Sequence, residues 1–336
     1  MKIFVAGATG ALGVPLVRLL VAGGHQVTGL TRSEARAKII SGLRACPVIA
    51  DALNAESLHC AVRSASPDAV IHALTDIPKR GPLWPRDFNR NNELRVRGTA
   101  NLLDAAIAAG ARRIVVESMV FVYGYGDLGS ERLTEDRLPA STASKSWLMP
   151  SLRALADEEA LVMQASREGK IEGIVLRYGG FYGPGAGTEV MVSLLKKRLL
   201  PLVTGGRSKS GAWIEISDAA AATVAALHRG QPGEAYNIAD DCPARFTDLI
   251  EHLARSIGAP QPVAIPIGLV RALAPFLAAT WLDTTLMVSN HKAKQQLDWA
   301  PCFRSYREGI AAFVARVSNQ RSPGITVSPS RAGDRG

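Results

Sequence analysis

Lys2-Ile3-Phe4-Val5-Ala6-Gly7-Ala8-Thr9-Gly10-Ala11-Leu12-Gly13 opens the chain, and its reading decides the fold. Residues 2–6 are a short apolar run that reads as a buried parallel strand. Beyond Gly13, Leu16, Val17, Leu19, Leu20 and Val21 recur at helical spacing. Strand, glycine turn and helix in that order make a phosphate cradle. Gly7 permits the tight turn, Gly10 lets backbone N–H groups approach a pyrophosphate, and Gly13 lets the helix lie against the strand. Thr9, Ala11 and Leu12 complete the cofactor-binding turn. Because the spacing is Gly-x-x-Gly-x-x-Gly rather than Gly-x-Gly-x-x-Gly, the flanking elements carry the reading more than the glycines do.

Strand and helix patterns keep alternating outward from this turn. Gly23-Gly24 closes the first helix, and residues 25–30 read as a second strand. An NAD-selective site places an acid after that strand to accept from the ribose 2′-OH; here Thr31-Arg32-Ser33 stand instead. A guanidinium forks onto phosphate, so NADP(H) is favoured over NAD(H), with Arg32 and Ser33 toward the 2′-phosphate and Thr31 beside them. The bland alternative is a solvated loop arginine. Strand 48–50 ends at Asp51-Ala52-Leu53, where the Asp51 carboxylate either accepts from the adenine amino group or caps the helix opened by Asn54-Ala55-Glu56. Residues 69–74 form a fourth strand, whose end at Ala73 and Leu74 should lie over the cofactor phosphates and ribose, with His72 a core histidine. Residues 78–92, rich in Pro and Arg with a Trp, are long for a plain connection and suggest a site wall or lid. A helix over 98–106, a strand over 113–116 and a further strand over 171–176 complete the pattern of a doubly wound parallel α/β sheet of the Rossmann type.

Composition narrows the class. The formal charge of +9 is dispersed and partly in the tail (Arg321, Arg331, Arg335), with no aromatic-basic motif, so no nucleic-acid partner is expected. Cys46, Cys60, Cys242 and Cys302 lack the paired spacing of a zinc or redox site; no metal is expected, and a reduced cytoplasmic protein is. A strand starting at residue 2 leaves no room for a signal peptide. Residues 263–282 are apolar, but Pro266, Arg271 and Pro275 interrupt them, which argues against a membrane span and for a cap over an apolar cleft or a subunit interface. The Ser/Pro/Gly/Arg-rich tail, residues 317–336, should be disordered.

With these motifs in hand, the chain resembles the extended short-chain dehydrogenase/reductase superfamily, in its NAD-dependent epimerase/dehydratase branch. The resemblance rests on the Gly7–Gly13 turn, Asp51, Gly98-Thr99-Ala100-Asn101-Leu102-Leu103, Val122-Tyr123-Gly124, Leu176-Arg177-Tyr178-Gly179-Gly180-Phe181-Tyr182-Gly183-Pro184-Gly185, Tyr236-Asn237-Ile238, and Lys292 with Leu297, Trp299 and Pro301. It covers about residues 1 to 315 and implies a Rossmann domain, 1–175 plus about 212–240. A smaller, mostly helical substrate-binding part follows from 176–211 and 241–316. It also implies Gly179 beside the nicotinamide, and a monomer or homodimer.

The family's catalytic Tyr-x-x-x-Lys pair, in which the lysine lowers the phenol's pKa, is not found between Glu135 and Glu168. In one alignment Ser141 replaces the tyrosine and Lys145 remains. In the other, preferred because it keeps a helix unbroken from Ser151 (its cap) to Gln164, Pro150 or Ser151 and Ala154 or Leu155 occupy the two places. The family's catalytic hydroxyl position falls on Met119, leaving Ser118 a candidate one residue early, and Arg95 stands where a supporting asparagine is usual. Gly211 replaces the arginine that clamps a nucleotide-sugar diphosphate; Arg207 and Lys209 are nearby substitutes. The expected activity is that of an atypical NADP(H)-dependent oxidoreductase acting on a small, fairly hydrophobic carbonyl-bearing or aromatic substrate. Tyr123, Tyr178, Tyr182, water or the substrate would supply the proton. A non-catalytic NADP(H) sensor is the alternative, and a sugar epimerase or dehydratase has fold-level support only.

Overall fold

The computed structural model describes residues 1–78, 81–204 and 210–321. Arg207, Lys209 and the tail beyond residue 321, with Arg331 and Arg335, lie outside the described residues. Seven short segments pair in parallel: β1 Lys2–Ala6, β2 Gln26–Thr31, β3 Cys46–Ile49, β4 Ala69–His72, β5 Arg113–Met119, β6 Glu172–Tyr178 and β7 Glu234–Ile238. Their order is β7-β6-β5-β4-β1-β2-β3. The chain runs outward from β1 through β2 to β3, then returns to the other side of β1 for β4. The crevice at the ends of β1 and β4 is therefore the topological switch point, where open α/β sheets take ligands.

Alternation along each strand sends side chains to two covered faces. Ile3, Val5, Ile71, Val115 and Leu176 face α1 (Gly13–Ala22) and α8 (Ile216–Arg229), packing on Leu16, Leu20, Ala219 and Ala222. Phe4, Val70, Ile114, Val116 and Val175 face the other layer. There they meet Leu58 and Val62 of α3 (Ala55–Ala65), Leu102 and Leu103 of α5 (Thr99–Ala108), and Val162 of α6 (Met149–Arg167). Ser33 and Asn54 cap α2 (Glu34–Gly42) and α3 by accepting from Arg36 and Ser57 N–H groups. The cap of α3 is thus Asn54 and not Asp51.

Several boundaries differ from expectation for local reasons. Strand β5 runs three residues further than the apolar run, through Met119, because β6 pairs with it along its whole length. Helix α5 is preceded by α4 (Asn89–Glu93) and a wide π-turn, Leu94–Gly98, which turns Arg95 inward. Helix α6 starts at Met149 with Pro150 in its first turn, so Ser151 lies inside the helix and does not cap it. The expected Gly179-Gly180 turn is instead an offset between β6 and a short strand, Gly180–Tyr182, paired in parallel with Trp213–Glu215. Residues 263–282 form no single cap helix: a strand (Ala264–Pro266), a helix (Ile267–Leu273), a break before Pro275 and a π-turn (Ala278–Leu282) share them. Among the described residues no helix is long and apolar enough to cross a membrane.

Candidate active site

The glycine turn is fixed by contacts that only glycine permits. Gly7 has φ +96°, and a Cβ there would stand 2.1 Å from the Ala73 carbonyl oxygen at the end of β4. A Cβ on Gly13 would stand 2.0 Å from the Gly7 carbonyl oxygen, so this glycine brings α1 down onto β1. Gly10 donates its N–H to the Gly7 carbonyl at 2.9 Å. An added Cβ at Gly10 would meet one protein atom within 4 Å, the same oxygen at 3.2 Å. Its outer side therefore faces away from protein. No side chain caps the N-terminus of α1, leaving the N–H groups near Ala11 and Leu12 free to meet an anion. The turn fits a pyrophosphate.

The same cleft gathers the other sequence-derived binding residues. Thr31 ends β2 buried, its Oγ1 without a partner among the described residues. Arg32 projects from the strand end to Asp76, 3.5 Å away. Ser33 caps α2 through its oxygen and keeps its proton free to donate. At the end of β3, Asp51 accepts the Leu53 N–H at 3.0 Å and faces Arg90 at 3.9 Å, while Ala52 is buried behind it. Ala73 N–H bonds the Ala6 carbonyl, extending β4 beside the turn with Leu74 following. Gly179 sits apart, against the Ala212 backbone, where a Cβ would approach to 2.9 Å.

The four hydroxyls proposed for catalysis are turned into the protein. Because β5 has not ended, Ser118 faces the α6 layer and donates to Glu159 Oε1 at 2.7 Å. Arg177 of β6 binds the same carboxylate through Nε and, at 2.7 Å, Nη2. Its Nη1 donates to the Tyr123 hydroxyl at 2.9 Å, which in turn donates to Asn237 Oδ1 at 2.8 Å. Burial pushes the Tyr123 phenol up to about 12 despite Arg177. Tyr178 shares a 2.7 Å hydrogen bond with Thr223 of α8. Tyr182 packs beneath the helix Tyr306–Arg321, close to Gly309, its hydroxyl buried without a described partner. Burial raises both phenols as well. As placed, these groups cement the interior instead of facing the cleft together.

Helix α6 contains no tyrosine or lysine, and its first turns present Ser151, Ala154 and Leu155, all buried. Ser151 accepts from Asn92 Nδ2 at 3.3 Å. Lys145 lies outside the helix, 3.6 Å from Asp283 and over the Trp147 ring.

Sequence reasoning missed a second buried network. Arg95 pairs with Glu158, which also accepts from Thr99 at 3.2 Å; Thr99 meets His72 Nε2 at 3.0 Å. Burial lowers His72 to about 3, so it is a neutral core histidine. Glu117 lies on the opposite face of β5, in register with Leu176 of the α1/α8 layer, and burial raises its carboxyl to about 7. Nothing in the local pattern of 113–119 marks that acid as interior.

An aromatic cluster packs beyond β5. Trp281 stacks on Trp213 at 4.4 Å between centroids and meets Phe121 edge-on at 5.2 Å. Around them lies a cavity of about 10 Å³, the room of a single water.

A switch-point cleft, a glycine turn shaped for pyrophosphate and a covered parallel sheet define an α/β protein of the Rossmann type. The model of the NAD dependent epimerase/dehydratase family matches residues 3–239, and the chain belongs to that family. It is 36% identical over 317 residues to a 3-diazoavenalumate denitrifying reductase of a Streptomyces species, covering 92% of this chain and 99% of that one. A 2-alkyl-3-oxoalkanoate reductase of Stenotrophomonas maltophilia is 29% identical, over 78% of this chain and 77% of its own. The fold matches the crystal structure of a Thermotoga maritima UDP-glucose 4-epimerase with a TM-score of 0.79 at 19% identity, over 95% of this chain and 99% of that chain.

Proposed function

We propose that this protein is an NADP(H)-dependent reductase of the atypical extended type, acting on a small, fairly hydrophobic aromatic or carbonyl-bearing substrate. The observation that carries the reading is the cleft itself: a glycine turn closed against Ala73, with Arg32 where an NAD-selective site would place an acid. A bound NADPH supplies hydride there; the chain's task is to hold it and exclude water. The reductase names of the Streptomyces and Stenotrophomonas relatives support reduction over sugar epimerisation.

The altered α6 start also bears on substrate. Reducing a carbonyl needs a hydride and a proton, and the groups that manage the proton in the family have no counterpart in α6. An aryl diazonium ion needs hydride alone: ArN₂⁺ plus hydride gives ArH plus N₂, with no proton taken up. The diazo-bearing substrate named for the Streptomyces relative is of a kind that such a site could reduce. The test is NADPH consumption, with no-enzyme controls, against ketones, enones, quinones and a hydroxylated benzenediazonium salt. Turnover of one class supports a reductase. Tight NADPH binding without turnover of any of them overturns it in favour of a sensor.

A further inference from the structure

Arg32 and Asp76 stand at the ends of strands that are not neighbours. Arg32 follows β2 and Asp76 follows β4, and β1 with its glycine turn lies between them in the sheet. Adjacent strands are about 4.8 Å apart, so the 3.5 Å contact between these two side chains spans the crevice over the end of β1. Asp76 also takes Arg90 of α4 at 3.2 Å, and Arg90 faces Asp51 at 3.9 Å. Two arginines and two carboxylates thus form one chain of ion pairs along the mouth of the cleft. Asp76 is not free to swing away at the backbone: its N–H donates to Oδ1 of the fully buried Asn91 at 3.1 Å.

We propose that Asp76 is a specificity-determining residue for the cofactor, a carboxylate that holds Arg32 across the cleft and must give it up to the 2′-phosphate. The inference rests on the NADP(H) reading of the same site. A phosphate and a carboxylate are the two groups that a guanidinium fork binds best, and Arg32 cannot serve both with full geometry. Left in place, Asp76 also puts a negative charge beside any phosphate that Arg32 receives. Arg90, relieved of Asp76, becomes a second cation at the same end of the cleft. The side chains are solvent-exposed, so the competition is modest.

Binding by nicotinamide fluorescence, which needs no substrate, tests this for NADPH and NADH on wild type, Asp76→Asn, Arg32→Ala and the double variant. Expected are a wild-type preference for NADPH, a further gain of about twofold to fivefold for NADPH in Asp76→Asn with NADH nearly unchanged, and no such gain in the Arg32→Ala background. A wild-type preference with no effect of Asp76→Asn, or an equal effect on both cofactors, overturns the inference and leaves the NADP(H) reading standing. Loss of NADH affinity in Asp76→Asn overturns it too, because the carboxylate would then be serving the ribose hydroxyls. Equal wild-type affinities, with Arg32→Ala costing both cofactors alike, sink the 2′-phosphate reading and the inference with it.

Discussion

At the scale of single residues, the difference between a catalytic and an interior hydroxyl is a matter of which way one strand position points. Ser118 shares its face of β5 with the register partner Arg177, and both meet Glu159. Ser118→Ala should therefore cost about 1 kcal/mol in chemical denaturation and leave turnover within about twofold, since the carboxylate keeps Arg177. A fall of about a hundredfold in kcat with stability intact would return Ser118 to the chemistry. Glu117, one position earlier, points the other way into apolar surroundings, and its carboxyl is raised from 4.5 to about 7, by burial first, with Arg95 opposing. The folded chain thus holds a proton there between pH 4.5 and 7 that the unfolded chain has lost. Its contribution to stability is full below 4.5 and fades as pH rises through 7. Glu117→Gln, neutral at every pH, should gain on wild type across that interval and then hold a constant lead of at most about 3 kcal/mol. His72, lowered to about 3, acts in the opposite sense, its neutral burial costing stability as pH falls below 6.5. It is common to both chains and drops out of the comparison. A lead that does not change with pH would show that Glu117 is not a buried acid.

At the scale of elements, the parallel strands and their glycine turn were legible because their signals are local: an apolar run, a turn that needs Gly7, a helix that needs Gly13. Helix α6 was legible in extent but not in meaning. Two adjacent acids of this helix, Glu158 and Glu159, are buried. Their partners, Arg95 and Arg177, come from a π-turn and a distant strand. The π-turn itself has no sequence signature at Leu94–Gly98, and without it the inward course of Arg95 could not be foreseen. Likewise β5 outran its apolar stretch because pairing with β6, not side-chain pattern, set its end, and Ser118 changed role with it. If the Glu159–Arg177 pair is what anchors α6 to β6, breaking one side should be far worse than removing both. Arg177→Met should lose about 3–5 kcal/mol, and Arg177→Met combined with Glu159→Gln should recover much of that loss in urea unfolding. Additive losses in the double variant would mean that the two residues act separately.

At the scale of the whole molecule, the polar groups divide between two kinds of place. Arginines and carboxylates with solvent access stand at the mouth of the cleft, whereas the phenols and Glu158 are sealed in the interior. Phe121, Trp213 and Trp281 come from three separate stretches of chain and pack their ring faces and edges on one another. Under the proposed function, the exposed ion pairs meet the dinucleotide and proton management falls to the substrate or to water. That division sets the pH dependence of turnover. With an acceptor that needs hydride alone, kcat should stay flat from about pH 6 to 9 and show a solvent deuterium effect near unity, and Tyr123→Phe and Tyr182→Phe should keep the wild-type profile. A rate that instead falls about tenfold per pH unit above neutrality would reveal a protein proton donor titrating near 7.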